Sequence, residues 1–362
     1  MKPRYYITPP ATILPDPHEC GSRSILSGDS MAQFMSQLTP CRYLTCTPAP
    51  QVTTYLFDLL NPFDIAKVSK LAAPLQAVLH TPVTVSTTHP GASFAVIVAN
   101  EKPDTVPFKR VLMTRAMDQG QGLTAALGVT TDNHPACIDL ASMPHTLVAG
   151  GSGSGKSVML NSIITSLLYK HTPADLQMLM IDPKQVELTQ YDGIPHLCRP
   201  VVTDPAQAVA ELDRIAAEME RRYKIMRKRR RVSAEGLFPR LLIVIDELAD
   251  LMLLSKKAAE TSISRIAYKG RAAGIHLLIA TQRPTVNVVS GAIKANIQCR
   301  ICLKVASTRD SINIIDRKGG EALLGKGDAL LQLPTQPDPI RIQGAWITPE
   351  DIRRTVEYWT KS

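Results

Sequence analysis

Gly150, Gly151, Ser152, Gly153, Ser154, Gly155, Lys156 and Ser157 spell glycine, four residues, then Gly-Lys-Ser. That spacing suits the holding of phosphates. Glycines let successive backbone N–H groups turn inward around phosphate oxygens, and a helix beginning at the end of the loop adds its positive N-terminal end. Lys156 is then expected to reach the β- and γ-phosphates of a nucleotide, and the Ser157 hydroxyl to hold Mg²⁺. A Gly/Ser-rich linker would have the same composition. Its surroundings speak against that reading, because His145 to Ala149 reads as an apolar strand and Ser157 to Lys170 as a helix with apolar spacing.

Downstream, Leu241 to Ile245 is a strand-like apolar run that ends in Asp246-Glu247. A buried strand delivers two such carboxylates at one edge of a sheet. Asp246 is expected to hold Mg²⁺ through water and Glu247 to polarise an attacking water, which favours hydrolysis over transfer to a small acceptor. A third run, His276 to Ala280, ends in Thr281-Gln282-Arg283-Pro284. Placed beside the phosphate strand, it would bring Thr281 or Gln282 near the γ-phosphate as a sensor.

The elements that must position these groups are legible from residue 145 onward. Five apolar β-type runs recur, Thr146 to Ala149, Met178 to Ile181, Leu241 to Ile245, His276 to Ile279 and Arg300 to Val305, with helical stretches between most of them. Strands apolar throughout, rather than alternating, are those covered on both faces by helices. Thr203 or Asp204 can cap a helix with Pro205 at its first position, and another helix runs from about Glu247 towards Ala272, stopping near Gly274. The expectation for 141–362 is a doubly wound α/β domain. Residues 45–140, with strand-like Val52 to Phe57 and Phe94 to Val98 around a helical Ile65 to Leu79 broken by Pro74, read as a small α+β domain. Residues 1–44 are Pro-rich and weakly periodic, an irregular extension that could pack on a neighbouring copy.

Composition narrows the partners. The 362 residues carry 41 Lys and Arg against 32 Asp and Glu, a net charge of +9 that favours a polyanionic partner. Only 5% of residues are aromatic, too few for a single-strand binder built on stacking platforms. No apolar run approaches the roughly 18 residues of a membrane span and no secretory h-region follows Met1, so the expectation is a cytoplasmic protein without membrane insertion. Seven cysteines at irregular spacing suit reduced thiols. Cys299 and Cys302 lie three apart in a strand and so face opposite ways, which argues against a metal pair; His18, Cys20, Cys41 and Cys46 are a weak alternative set.

From about Pro48 to Trp359 the chain resembles the motor region of the FtsK/SpoIIIE DNA translocases, within the FtsK–HerA group of RecA-like P-loop ATPases. The resemblance is carried by Met143 to Ser157, Met180-Ile-Asp-Pro-Lys184 with Glu187-Leu188, and Gly193 to Leu197. Pro200 to Asp204, Glu218 to Tyr223, Arg271 to His276 and Ala280 to Pro284 continue it, and Ile293 to Ile297 and Leu323 to Asp328 complete it. It implies a hexameric ring of copies that hydrolyses ATP at subunit interfaces and drives double-stranded DNA through its pore. Arg271 occupies the position of an arginine finger acting on the neighbouring subunit's γ-phosphate, with Arg265 and Arg300 as fallbacks. Arg283 and Lys294 fall where the family presents basic groups to the DNA backbone, and Arg309 lies near a third such place, where Thr308 stands for the usual Lys. A related motor with another cargo, conjugative single-stranded DNA or secreted protein, is the alternative.

The stretch departs from the septal members of the family. It has no counterpart of their membrane helices, long linker or orientation-reading winged-helix domain, which leads to the expectation of a stand-alone motor of the mobile-element kind without intrinsic directional choice. The run Arg221 to Arg231, eight basic residues in eleven, could grip phosphates or another subunit, or be a solvated helix end.

Overall fold

The computed structural model describes residues 6–17, 26–89 and 91–361. His18 and Cys20 of the weak metal set lie outside them. Among the described residues the strands form two sheets, of four and ten strands.

The smaller sheet has the order β1 (Cys41–Pro48), β2 (Val52–Leu59), β4 (Phe94–Ala99), β3 (Val83–Ser86), all antiparallel. Alternation along β4 sorts its apolar residues. Phe94, Val96 and Val98 pack with Met31 and Met35 of α1 (Gly28–Leu38), Val68 of α2 (Ile65–Val68) and Leu75 of α3 (Ala72–Leu79), whereas Ala95 and Ile97 face Leu324 of the larger unit. Pro74 falls in the first turn of α3, where a missing N–H costs no helical hydrogen bond. The single broken helix expected over 65–79 is therefore two.

The expected irregular extension is corrected in two respects. Residues 28–38 are helical, with the Ser27 hydroxyl accepting from Ser30 N. Residues 6–17 pack on their own chain rather than on a neighbour. Leu14 enters the main core, Tyr6 lies on Trp359, Arg354 donates to the Ile13 carbonyl, and buried Lys109 holds the Leu14 carbonyl and Asp16.

The larger sheet has at its centre five parallel strands in the order β12 (Cys299–Leu303), β8 (His145–Ala149), β11 (Ile275–Thr281), β10 (Arg240–Ile245), β9 (Leu176–Ile181). Beyond β12 the sheet turns antiparallel through β13 (Asp328–Gln332), β14 (Ile340–Trp346), β6 (Thr124–Thr130) and β7 (Pro135–Asp139), with β5 (Val106–Pro107) pairing β14. The stretch read as one small domain over 45–140 thus divides between the two sheets: residues up to Ala99 make the smaller, and 124–139 extend the larger.

Helices cover both faces of the parallel core. On one side lie α6 (Lys156–Lys170) and α11 (Pro349–Lys361), with α4 (Phe108–Leu112) and the short α5 (Arg115–Asp118) against the antiparallel wing. On the other lie α7 (Pro205–Lys228), α8 (Leu248–Lys269), α9 (Gly291–Asn296) and α10 (Thr308–Ile315). Asp204, rather than Thr203, caps α7 by accepting from Gln207 N, and Pro205 is its first residue. Cys299 packs on the α6 side and Cys302 on the α8 side, the divergence that their spacing dictates.

Candidate nucleotide site

Parallel strands end together, so the turns after β8, β9, β10 and β11 share one edge of the sheet. The phosphate loop follows β8. Its brackets are backbone: Gly150 N donates to the Thr281 carbonyl at 3.2 Å, Gly151 N to the Lys304 carbonyl at 2.8 Å, and Gly327 N to the Ser154 carbonyl at 2.8 Å. Gly155 has φ +101°, and a Cβ there would stand 2.6 Å from Gly327 N, so both conformation and the close approach of a second backbone demand glycine.

Lys156 begins α6 and is buried. Its Nζ donates to the Asp246 carbonyl at 2.8 Å and to Asp246 Oδ1 at 2.6 Å. Burial pushes the Asp246 carboxyl above the usual range, and the Lys156 charge pulls the other way. Glu247, equally buried, caps α8. Its carboxylate accepts from Thr281 Oγ1 at 2.6 Å, from Gln282 N at 3.1 Å and from Ala249 N at 3.3 Å, with Lys184 Nζ 3.4 Å away. Strand β11, set between β8 and β10, makes this possible: Thr281 ends on Glu247, while Gln282 lines a cavity with Lys156 and Ser157. The open choice between Thr281 and Gln282 resolves into two places, with Thr281 against the carboxylate and Gln282 facing the phosphate end.

Three residues given no role from the sequence belong here. Ser157 Oγ donates to Glu187 Oε1 at 2.5 Å. Glu187 is held by Asp182, which ends β9 fully buried and accepts from the N–H groups of Lys184, Gln185, Val186, Glu187 and Leu188 at 2.9 to 3.2 Å. The signal was a strand ending in Asp-Pro with Glu five residues on, which alone assigns no chemistry. Ser157, Asp246 and Glu187 offer hard oxygen donors at the mouth of a phosphate-binding loop, a set that fits Mg²⁺.

Arg271 lies in the turn before β11, at the edge of the sheet away from the phosphate loop, and is exposed beside Tyr268 and Val232. Arg265 is exposed, 3.5 Å from Glu220. Arg300 is locked inside: it donates to the carbonyls of Ile297 and Lys294 at 2.9 Å and to Asp316 at 2.5 Å, which removes it as a fallback finger. Lys294 is tied to the same Asp316 at 2.6 Å, near the start of β12, whereas Arg283 and Arg309 are exposed after the ends of β11 and β12. Within the basic run, Arg222 is buried and donates to the Pro239 and Ala273 carbonyls, and Lys224 and 227–231 are exposed.

Sheets that carry a lysine from one strand end to a carboxylate two strands away, across an inserted polar-tipped strand, are those of RecA-like P-loop ATPases, and this chain has that fold. A profile described as the FtsK/SpoIIIE family matches residues 109–238 and 233–286. The "DNA translocase FtsK" of Pseudomonas syringae pv. tomato is 41% identical over 348 residues, covering 86% of this chain and 43% of the relative. The "DNA translocase SftA" of Bacillus subtilis is 41% identical over 327 residues, covering 86% of this chain and 34% of the relative. The chain belongs to the FtsK/SpoIIIE family, and spans less than half the length of these relatives. Among solved structures, the monomer form of the pCW3 conjugation coupling protein TcpA with ATPgS superposes with a TM-score of 0.63 at 23% identity, over 90% of this chain and 97% of that one, a likeness of fold. Among the described residues no helix is long and apolar enough to cross a membrane.

Proposed function

We propose that this chain is the motor of a double-stranded DNA translocase, an ATPase whose copies form a hexameric ring and hydrolyse ATP where two copies meet. The observation that carries the reading is the division of the catalytic groups. Lys156, Ser157, Asp246, Glu247 and Gln282 gather at one edge of the sheet, while Arg271 stands at the other. A chain so built needs a second copy, joined head to tail, to bring an arginine to its phosphates.

In this reading Lys156 leaves Asp246 for the γ-phosphate, and Ser157 and Asp246 are left to hold Mg²⁺. The metal neutralises charge on the β- and γ-phosphate oxygens. Glu247, fixed by Thr281 and the Gln282 and Ala249 amides, orients the water. The water oxygen bonds to the γ-phosphorus as the bond to the bridging oxygen breaks, and Glu247 takes the water proton. Gln282 senses the departing phosphate. Loss of that phosphate relaxes the junction and shifts exposed Arg283 and Arg309 against the duplex. Lys294 joins them only if Asp316 releases it. Phosphate contacts are indifferent to base sequence and weaken steeply with salt.

The test is ATPase activity of the full chain as a function of concentration and of added nucleic acid. Duplex DNA is expected to stimulate several-fold, with single strands and unfolded protein inert, and Glu247→Gln is expected to abolish turnover while sparing ATP binding. Full activity in a dilute monomer, unchanged in Arg271→Ala, would overturn the shared site. Stimulation by single strands or protein alone would transfer the motor to the other cargo.

A further inference from the structure

A cavity of about 560 Å³ begins at the phosphate loop, among Gly153, Lys156 and Ser157, and extends to Gln343 and Trp346 near the end of β14. A nucleotide anchored by its phosphates at the loop has this space for its base, and the volume is in the range of small-ligand sites. Two features of the far end are unexplained by packing. The Trp346 side chain lines the cavity and the residue is 49% exposed, at the position where β14 leaves the sheet. Gln343 Nε2 donates to the Lys326 carbonyl at 2.9 Å, which fixes the direction of the amide and makes Oε1 its remaining end. That oxygen is buried and has no hydrogen-bond partner among the described residues. A buried acceptor left unmatched is costly and marks a place where a donor is expected.

We propose that Trp346 and Gln343 form the base subsite, with an adenine ring stacked on the indole and its 6-amino group donating to Gln343 Oε1, so that the chain selects 6-amino over 6-oxo purines. The inference rests on the reading that the phosphate loop binds a nucleotide. Its chemistry is direct. Hypoxanthine and guanine carry a carbonyl at C6, which would set one acceptor against another and leave both unpaired. A site built to pair with a substrate donor rejects the analogue lacking it more strongly than an apolar pocket can. The aromatic face adds affinity without telling purines apart.

The sequence has two tryptophans, and Trp359 is buried against His196 and Tyr358, so a nucleotide-dependent change in emission reports Trp346. The full chain is titrated with ADP and with inosine diphosphate in the presence of Mg²⁺, by fluorescence and by equilibrium dialysis. ADP should quench the emission and bind at least roughly ten-fold more tightly than inosine diphosphate. Gln343→Ala should bring the two affinities together, and Trp346→Phe should remove the quench while dialysis still detects ADP, each variant being checked for an unchanged melting temperature. Equal affinities in the unaltered chain, a preference that survives Gln343→Ala, or a quench that survives Trp346→Phe would overturn the subsite. Failure of either nucleotide to bind, with the unaltered chain behaving like Lys156→Ala, would overturn the phosphate-loop reading and the subsite with it.

Discussion

Lys156 and Asp246 illustrate how a site stores its charges before use. Both are almost fully buried, and each is the other's compensation. Removing one leaves the other uncompensated in a low-dielectric setting, which typically costs about 3–5 kcal/mol. Lys156→Ala should therefore lower the free energy of unfolding by about 3 kcal/mol in a urea titration. Asp246→Asn added to it should restore much of the loss; additive effects would mean that the pair is not coupled. Ser157 makes a parallel case. By donating its proton to Glu187 it turns its oxygen lone pairs outward, as outer partners do for metal ligands in general. In Glu187→Ala, with ADP bound, affinity for Mn²⁺ followed by the loss of free-ion paramagnetic resonance signal should fall about ten-fold, with metal-free ADP binding unchanged. Unchanged Mn²⁺ affinity would deny Glu187 any hold on the metal.

At the scale of elements, the β9–α7 connection depends on one carboxylate. Five consecutive N–H groups converge on Asp182, so 183–188 is ordered by a side chain rather than by regular structure. Asp182→Ala should speed hydrogen exchange at the amides of 184–188 by an order of magnitude or more while leaving those of β9 and β10 protected. Uniform exchange behaviour would refute this dependence. Much of the architecture was readable because local signals agreed: Pro205 after a capping acid, continuous apolar strands, and a glycine-rich turn between strand and helix. The antiparallel wing was not readable. Thr124 to Thr130 and Pro135 to Asp139 look like any hairpin, and nothing local tells that β14, two hundred residues later, will pair with it. For the same reason the sequence motifs could name Lys156 and Asp246 but not Glu187, Gln343 or Trp346, whose roles arise from long-range juxtaposition.

For the molecule as a whole, four histidines set an acid limit. Burial holds His145 at about 3, and His171, His196 and His276 at about 4, so all are neutral when folded at pH 7. Unfolded, they take up protons below about pH 6.5. The folded state then binds fewer protons, so stability is fullest above pH 6.5 and is lost as pH falls towards 4. Thermal midpoints from pH 8 to 5 should decline below about 6.5, and His276→Met should flatten the slope by about one proton's share. A flat profile would show that these rings do not govern acid unfolding. A last consequence follows from the brackets around the phosphate loop. Lys304, Thr281 and Gly327 reach it from three different segments, so its shape is a property of the entire sheet and not of eight residues. Transplanted alone into a foreign turn, the same glycine-rich string would be a floppy thread; here it is an arch resting on three abutments, and a cut at any one of them should be felt by the other two.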